Sequence, residues 1–264
     1  NSTDGSKTVS LRGIEKYSGA NKAGGRDAHK CTLILTEGDS AKTLAVSGLS
    51  SEDRDYFGIF PLKGKPLNVR DAKIDAIARN EEFTKVKKIL GLESNNTYDK
   101  DYKVWPLRYG RLLIFSDQDL DGYHIKGLVM NYFATFHPGL LEKGFLVSML
   151  TPIVKVTKGK KSISFYSENE YHDWQKTHND GKGWDAKYYK GLGTSVAAEA
   201  REYFKNPKIV NYDWTGEDSA EAIDLAFRKE RTNNRKTWMS NNLTAAPTDP
   251  NDEHITYEEF INKD

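Results

Sequence analysis

Asp117, Asp119 and Asp121 occupy alternate positions directly after the apolar run Leu112-Leu113-Ile114-Phe115-Ser116, and Gly122 closes the motif. Two carboxylates about 4 Å apart repel by roughly 4 kcal/mol at an effective dielectric near 20. Three of them together therefore call for a cation or a shared proton. Oxygen donors with no cysteine nearby favour a hard ion, Mg²⁺ ahead of Ca²⁺. The same spacing opens an EF-hand loop, but that loop needs a bidentate Glu at its twelfth position, which is Leu128 when counted from Asp117. A strand rather than a helix also precedes the motif, against the EF-hand. A solvated acidic turn is the other plain reading of the motif taken alone.

The elements that must position these groups follow from the pattern around them. The apolar run suits a central parallel strand, and ligands of open α/β sheets gather beyond the carboxyl ends of such strands. Residues 32–36 followed by Glu37-Gly38-Asp39-Ser40 and Ala41-Lys42-Thr43-Leu44-Ala45-Val46 repeat the design: strand, acidic turn, and a helix capped by Asp39 or Ser40. Alone, Glu37 is equally an ordinary turn residue; two acidic strand ends in one domain favour a shared site.

Strands are expected over 32–36, 57–61, 112–116 and 145–156, and helices over 40–49, 73–80, 82–90 and 123–136. This alternation implies an α/β fold with a doubly wound, mainly parallel sheet flanked by helices. A hairpin should pair 153–156 with 163–166 across Lys158-Gly159-Lys160-Lys161. Farther on, helices are expected over 167–177, 195–203 and 219–238, with the Lys190-Gly191-Leu192-Gly193 turn between; its glycines would let the backbone approach DNA or a neighbouring element. The domain organisation is then 1–30 a linker or strap, 31–157 a metal-binding core, 158–239 an extension with the hairpin and a basic helix, and 240–264 a mobile Asn/Pro/Asp-rich linker.

The chain of 264 residues, 37% hydrophobic and 11% aromatic, supports a proper core and argues against disorder. A single cysteine, Cys31, excludes an intramolecular disulfide and reads as a core thiol. No apolar run approaches 18 residues and no leader is evident, so a soluble, intracellular chain is expected, with no membrane partner. Asn-x-Ser/Thr triplets at Asn1, Asn95 and Asn242 then carry no weight. Net charge is only +1, yet local basic clusters can bind phosphate on a balanced surface. Three stand out: Lys85, Lys87 and Lys88; Lys155, Lys158, Lys160 and Lys161; and Arg228, Lys229, Arg231, Arg235 and Lys236.

Four segments occur in the order found in type IIA DNA topoisomerases: Glu37-Gly38-Asp39-Ser40-Ala41, Pro61-Leu62-Lys63-Gly64-Lys65-Pro66-Leu67-Asn68-Val69, Asp117 to Gly122, and Lys187-Tyr188-Tyr189-Lys190-Gly191-Leu192-Gly193-Thr194. From about Ala20 onward the chain resembles the TOPRIM region of that family. Leu44 to Leu49 and Lys190 to Ser195 look like the eukaryotic single-chain enzymes and their viral relatives rather than bacterial gyrase. The resemblance implies a TOPRIM-type sheet with a helical C-terminal extension. It also implies a part in ATP-dependent, reversible cleavage of double-stranded DNA, in which a tyrosine attacks a phosphodiester, the 3′ oxygen departs and one or two Mg²⁺ ions stabilise the developing charge.

By position, Glu37, Asp117 and Asp119 match the family's metal ligands, with Asp121 a supporting or second-ion group. Glu37 also matches a group that passes a proton to or from the 3′ oxygen. Lys65 and Asn68 match residues near the cut, and Arg235 and Lys236, with Trp238, match an Arg-Lys-x-Trp that approaches the duplex. His124, Lys126 and Lys190 are further phosphate-facing candidates. Two departures stand out: Lys63 where eukaryotic members usually carry Arg, which puts contacts needing a planar guanidinium in doubt, and Tyr123 where Ser is usual. Arg108-Tyr109 mimics the Arg-Tyr of the nucleophile, but family members carry a similar Leu-Arg-Tyr-Gly there with no catalytic role. The nucleophile is expected beyond Asp264 and from the other protomer of a homodimer, and the ATP site outside the chain, so the isolated chain should be inactive. Residues 257–264 resemble the passage into a winged-helix domain. The implied compartment is the nucleus of a eukaryotic cell, or the host compartment for a virus. Rival readings are another TOPRIM metal enzyme, primase or nuclease, or a non-catalytic DNA-binding module. The second and fourth segments discriminate against the former, and the intact acidic set against the latter.

Overall fold

Near-continuous burial along four short strands, with side chains directed alternately to the two faces, sorts the core into two layers. In the computed structural model residues 11, 13–99, 107–242 and 245–264 are described. Among them the strands are β1 (Thr32–Glu37), β2 (Phe57–Leu62), β3 (Arg111–Phe115), β4 (Leu146–Leu150), β5 (Val154–Lys158), β6 (Lys161–Phe165), β7 (Asp185–Tyr188), β8 (Lys208–Asp213) and β9 (His254–Thr256). The helices are α1 (Gly38–Gly48), α2 (Ile74–Arg79), α3 (Glu81–Leu90), α4 (Leu120–Phe136), α5 (Pro138–Glu142), α6 (Glu168–Thr177), α7 (Ala197–Lys205), α8 (Glu217–Phe227), α9 (Thr232–Asn242) and α10 (Tyr257–Lys263). The main sheet runs β2-β1-β3-β4-β8-β9; the second is β6-β5-β7. The first four strands of the main sheet are parallel, β8 is antiparallel to β4, and β9 is parallel to β8. This is the expected mainly parallel sheet with helices on both faces.

Leu33, Leu35, Phe60, Leu62, Leu112 and Ile114 enter one apolar layer with residues of α3, α4, α5 and α10. Ile34, Ile59, Leu113, Phe115, Val147 and Met149 enter the other, against α1 and α7. Successive side chains of a strand point to opposite faces, so a continuous apolar run marks a strand covered on both. Each such side chain contributes roughly 1.5–3 kcal/mol on burial, against about 0–1 kcal/mol for an exposed ion pair. The layers, not the surface charges, therefore fix the sheet.

The expected hairpin is present, with pairs running from Val154↔Phe165 to Lys158↔Lys161. Besides the start of α1, which has Glu37 rather than Asp39 or Ser40 in the capping position because the helix begins at Gly38, four expectations differ. The strand expected over 145–156 is two, because Thr151-Pro152 interrupts it and Pro152 has no N–H for a ladder. The second sheet thus begins at Val154, inside the segment assigned to the core. The long basic helix over 219–238 breaks at Arg228, which is extended (φ −73°, ψ 124°). Its helical bonds are given up to tertiary partners: Phe227 O accepts from Asn68 Nδ2 at 2.8 Å, and Lys229 N–H donates to the Asp71 carboxylate.

The tail is the third difference. Within the supposed linker 240–264, β9 joins the main sheet and α10 buries Tyr257 and Phe260 in the larger layer. Thr256 and Glu259 form a reciprocal capping box at its start, at 3.1 and 3.0 Å. Fourth, β7 and β8 were not anticipated; β7 is exposed throughout and carries no apolar alternation. At the other end, Ser18 bridges Ile59 and Ala20 is buried. Residues 1–10 and 12 lie outside the described residues.

Candidate metal centre

Parallel registration brings the acidic turns to one edge. Thr36 lies opposite Phe115, and Glu37 opposite Leu62, so the ends of β1, β2 and β3 deliver Glu37, the Lys63-Gly64-Lys65 turn and Asp117 to Asp121 side by side. The Asp117 N–H donates to Glu37 Oε2 at 3.3 Å. Asp117 Oδ1 accepts the Leu192 N–H at 2.7 Å, from the turn expected to approach a neighbouring element. Asp119 is the N-cap of α4, accepting the Gly122 N–H at 2.8 Å. Asp121 pairs with Lys65 Nζ at 2.8 Å. Every one of the four carboxylates thus has a donor from its own chain, and among the described residues no three His, Cys, Asp or Glu side chains converge into a ready-made ion site.

The electrostatics of the edge are uneven. Burial pushes the Glu37 carboxyl up, and the negative charges of Asp117, Asp119 and Asp121 push it further, against the Asp117 N–H. The Lys65 ammonium holds Asp121 below the usual carboxylate range. Groups whose environments drive them apart suit different roles, one exchanging a proton and the other staying charged. The donors are oxygen only, the chemistry of a hard divalent cation. Both donors sit on Oδ1, at Asp117 and at Asp119, so such an ion would be met by the Oδ2 atoms with those bonds kept.

A family profile for the C-terminal associated domain of TOPRIM matches residues 149–264. DNA topoisomerase 2 of Caenorhabditis elegans is 49% identical over 236 residues, 89% of this chain and 16% of that protein. DNA topoisomerase 2 of Arabidopsis thaliana is 48% identical over 268 residues, 99% of this chain and 18% of that protein. The crystal structure of the Plasmodium falciparum topoisomerase II DNA-binding, cleavage and re-ligation domain matches with a TM-score of 0.90 and 45% identity, over 96% of this chain and 34% of that one. The chain belongs to the type IIA DNA topoisomerase family. It spans 16–18% of the length of the curated relatives it matches.

Within this topoisomerase segment the other sequence candidates sit in different settings. Lys65 is at the acidic edge, and Lys190 is exposed beside it, lining a cleft of about 1080 Å³ with Gln118. His124 is exposed on α4, its ring 6.5 Å from that of Phe227. Lys236 is exposed on α9. Three candidates are engaged by partners within the chain. Asn68 donates to Phe227 O and accepts from Arg70 N and Asn131 Nδ2 at 3.1 and 2.9 Å. Arg235 donates to the carbonyls of Leu225, at 3.0 Å, and Arg228, closing the end of α8. Lys126 is buried, its ammonium 4.8 Å from the Tyr123 ring centroid and pushed down to about 8 by burial against the pull of Asp264, Glu37 and Asp119. A surface phosphate does not reach it in this arrangement.

Of the third basic cluster, Arg228 and Arg231 pair with Asp224, and Arg231 also with Glu221. Tyr109 is fully buried, its hydroxyl 2.6 Å from that of Tyr17 and accepting the Ala20 N–H at 3.0 Å. It holds the strap. Sequence reasoning missed Glu199, whose carboxylate gathers Lys187, Tyr189 and the Val196 N–H behind the Leu192 turn. The one available signal was its place in the first turn of α7, where Glu favours free N–H groups.

Proposed function

We propose that this chain provides the cation-binding and part of the DNA-contacting surface of an ATP-dependent type II topoisomerase, serving reversible double-strand cleavage and religation. The observation that carries the reading is the delivery of Glu37 and Asp117 to Asp121 from the ends of adjacent parallel strands in a chain of this family. Glu37, Asp117 and Asp119, with Asp121 in support, would hold Mg²⁺, in one- or two-ion form. When bound, the ion supplies charge stabilisation at the leaving and non-bridging oxygens.

The chain's own residues do the rest of what is assigned here. Glu37, its carboxyl raised by burial and by three negative neighbours, exchanges a proton with the 3′ oxygen. Lys65, a flexible point charge, trades Asp121 for a phosphate oxygen. Lys190, His124 and Lys236 face the duplex. The nucleophilic tyrosine and the ATP site are drawn from other residues, the tyrosine from the partner in a homodimer. Tyr109 supplies neither. The relatives named above come from cellular eukaryotes, which favours the nucleus over a viral setting. No helix among the described residues is long and apolar enough to cross a membrane.

Glu37→Gln in the full-length protein tests the reading. Because the folded protein holds the Glu37 proton more tightly than the unfolded chain, stability falls as pH rises through the window between the ordinary carboxyl value and the raised one. The Gln variant escapes that loss, so it should melt higher than wild type at neutral pH while losing Mg²⁺-dependent DNA cleavage. Wild-type cleavage by this variant would refute the role.

A further inference from the structure

We propose that the Gly191-Leu192 turn is a positioning element for Asp117, and that Glu199 is the clamp that presents it. The inference rests on the metal reading above. Leu192 gives its N–H to Asp117 Oδ1 at 2.7 Å. Its side chain is buried in the layer that also holds Phe115, two residues before Asp117, and Ala41 and Leu44 of α1, the helix that follows Glu37. One turn is therefore seated against the supports of both acid-bearing strands.

Gly191 is fully extended (φ 165°, ψ 175°), a conformation open to any residue. A Cβ there would nevertheless stand 2.6 Å from Asp117 Oδ2. A side chain at position 191 would therefore displace the carboxylate rather than strain the backbone. Asp117 is thus held on Oδ1 by a hydrogen bond, while a side chain at position 191 would press on Oδ2.

The ends of the turn are tied by one group. Glu199 accepts the Tyr189 hydroxyl at 2.6 Å and Lys187 Nζ at 2.8 Å on the entry side, and the Val196 N–H at 2.9 Å on the exit side. Its side chain is only 13% exposed, so these bonds are shielded from water more than the surface pairs are. Strand β7 of the second sheet leads directly into the turn, so that sheet fixes where a carboxylate of the main sheet points. Partners that orient a metal ligand typically change metal affinity by about 10–100-fold when removed.

The test is Mn²⁺ titration of the full-length protein by electron paramagnetic resonance, paired with DNA cleavage across a metal series. Gly191→Ala should weaken Mn²⁺ binding by about 10–100-fold. It should shift the metal concentration needed for half-maximal cleavage upward, with maximal cleavage recovered at saturating Mn²⁺ and DNA affinity unchanged. Gly193→Ala, whose Cβ meets nothing within 4 Å, should behave as wild type. A merely architectural role would lower maximal cleavage at every metal concentration and overturn the proposal, as would wild-type Mn²⁺ affinity in Gly191→Ala when Asp117→Asn has lost it. Wild-type affinity in Asp117→Asn itself would remove the metal reading and this inference together. If Gly191→Ala loses its thermal transition, Glu199→Gln decides: weakened Mn²⁺ binding supports the clamp, and unchanged binding overturns it.

Discussion

The Lys65 ammonium lies 2.8 Å from the Asp121 carboxylate, joining the turn after β2 to the first turn of α4 across the mouth of the acidic edge. Both side chains are largely exposed, so the pair adds little to stability; its consequence is electrostatic. Asp121 is held below the usual carboxylate range, so its small stabilising contribution is present above the ordinary carboxyl value and is lost as pH falls through the lowered one. Lys65→Ala should return Asp121 to the ordinary range in a carboxyl-detected NMR titration, weaken DNA binding, and leave the melting temperature near wild type. An Asp121 titration that does not move would mean that the pair does not form in solution.

Tyr109→Phe separates a buried strap anchor from a nucleophile. The substitution leaves the Ala20 N–H without its acceptor and breaks the link to Tyr17, a loss of about 1–3 kcal/mol. Urea denaturation should show that loss while DNA cleavage, measured on the fraction that is folded, persists. Cleavage abolished in a fully folded variant would return Tyr109 to the chemistry.

Much of this was legible in the sequence. Two apolar runs ending in acids located β1 and β3, because a strand buried on both faces leaves a continuous apolar signature. The same rule fails at β7, which is exposed throughout, and it does not separate β4 from β5, because the apolar pattern continues across Pro152 while the hydrogen-bond ladder does not. The basic helix failed for another reason. Its periodicity is real, but Asn68 and Asp71, about 160 positions away, take the backbone groups that would continue it. In the tail, Pro247, Pro250 and Asn251 looked like a linker, although the capping pair Thr256 and Glu259 was on view. At the site, the acids could be named, but not their present donors, since Leu192 N–H and Lys65 reach them only through the fold.

Arg235 and Lys236 should part company in a salt titration of DNA affinity. Lys236 is exposed and, as a phosphate contact, should contribute about 0.9 to the slope of log affinity against log salt. Arg235 holds the carbonyls that end α8, so Arg235→Ala should cost on the order of 1–2 kcal/mol of stability with the slope unchanged. A slope that falls in Arg235→Ala but not in Lys236→Ala would reverse the assignment.

A metal centre at this edge requires Asp119 to act through its charge. Asp119→Asn keeps an oxygen to cap α4 at the Gly122 N–H, since Asn and Asp cap about equally well, and removes only the negative charge offered to an ion. In the full-length protein, Mg²⁺-dependent cleavage of supercoiled DNA should be abolished, with DNA affinity and melting temperature close to wild type. Cleavage by Asp119→Asn at the wild-type rate and the wild-type Mg²⁺ requirement would contradict a metal centre at this edge.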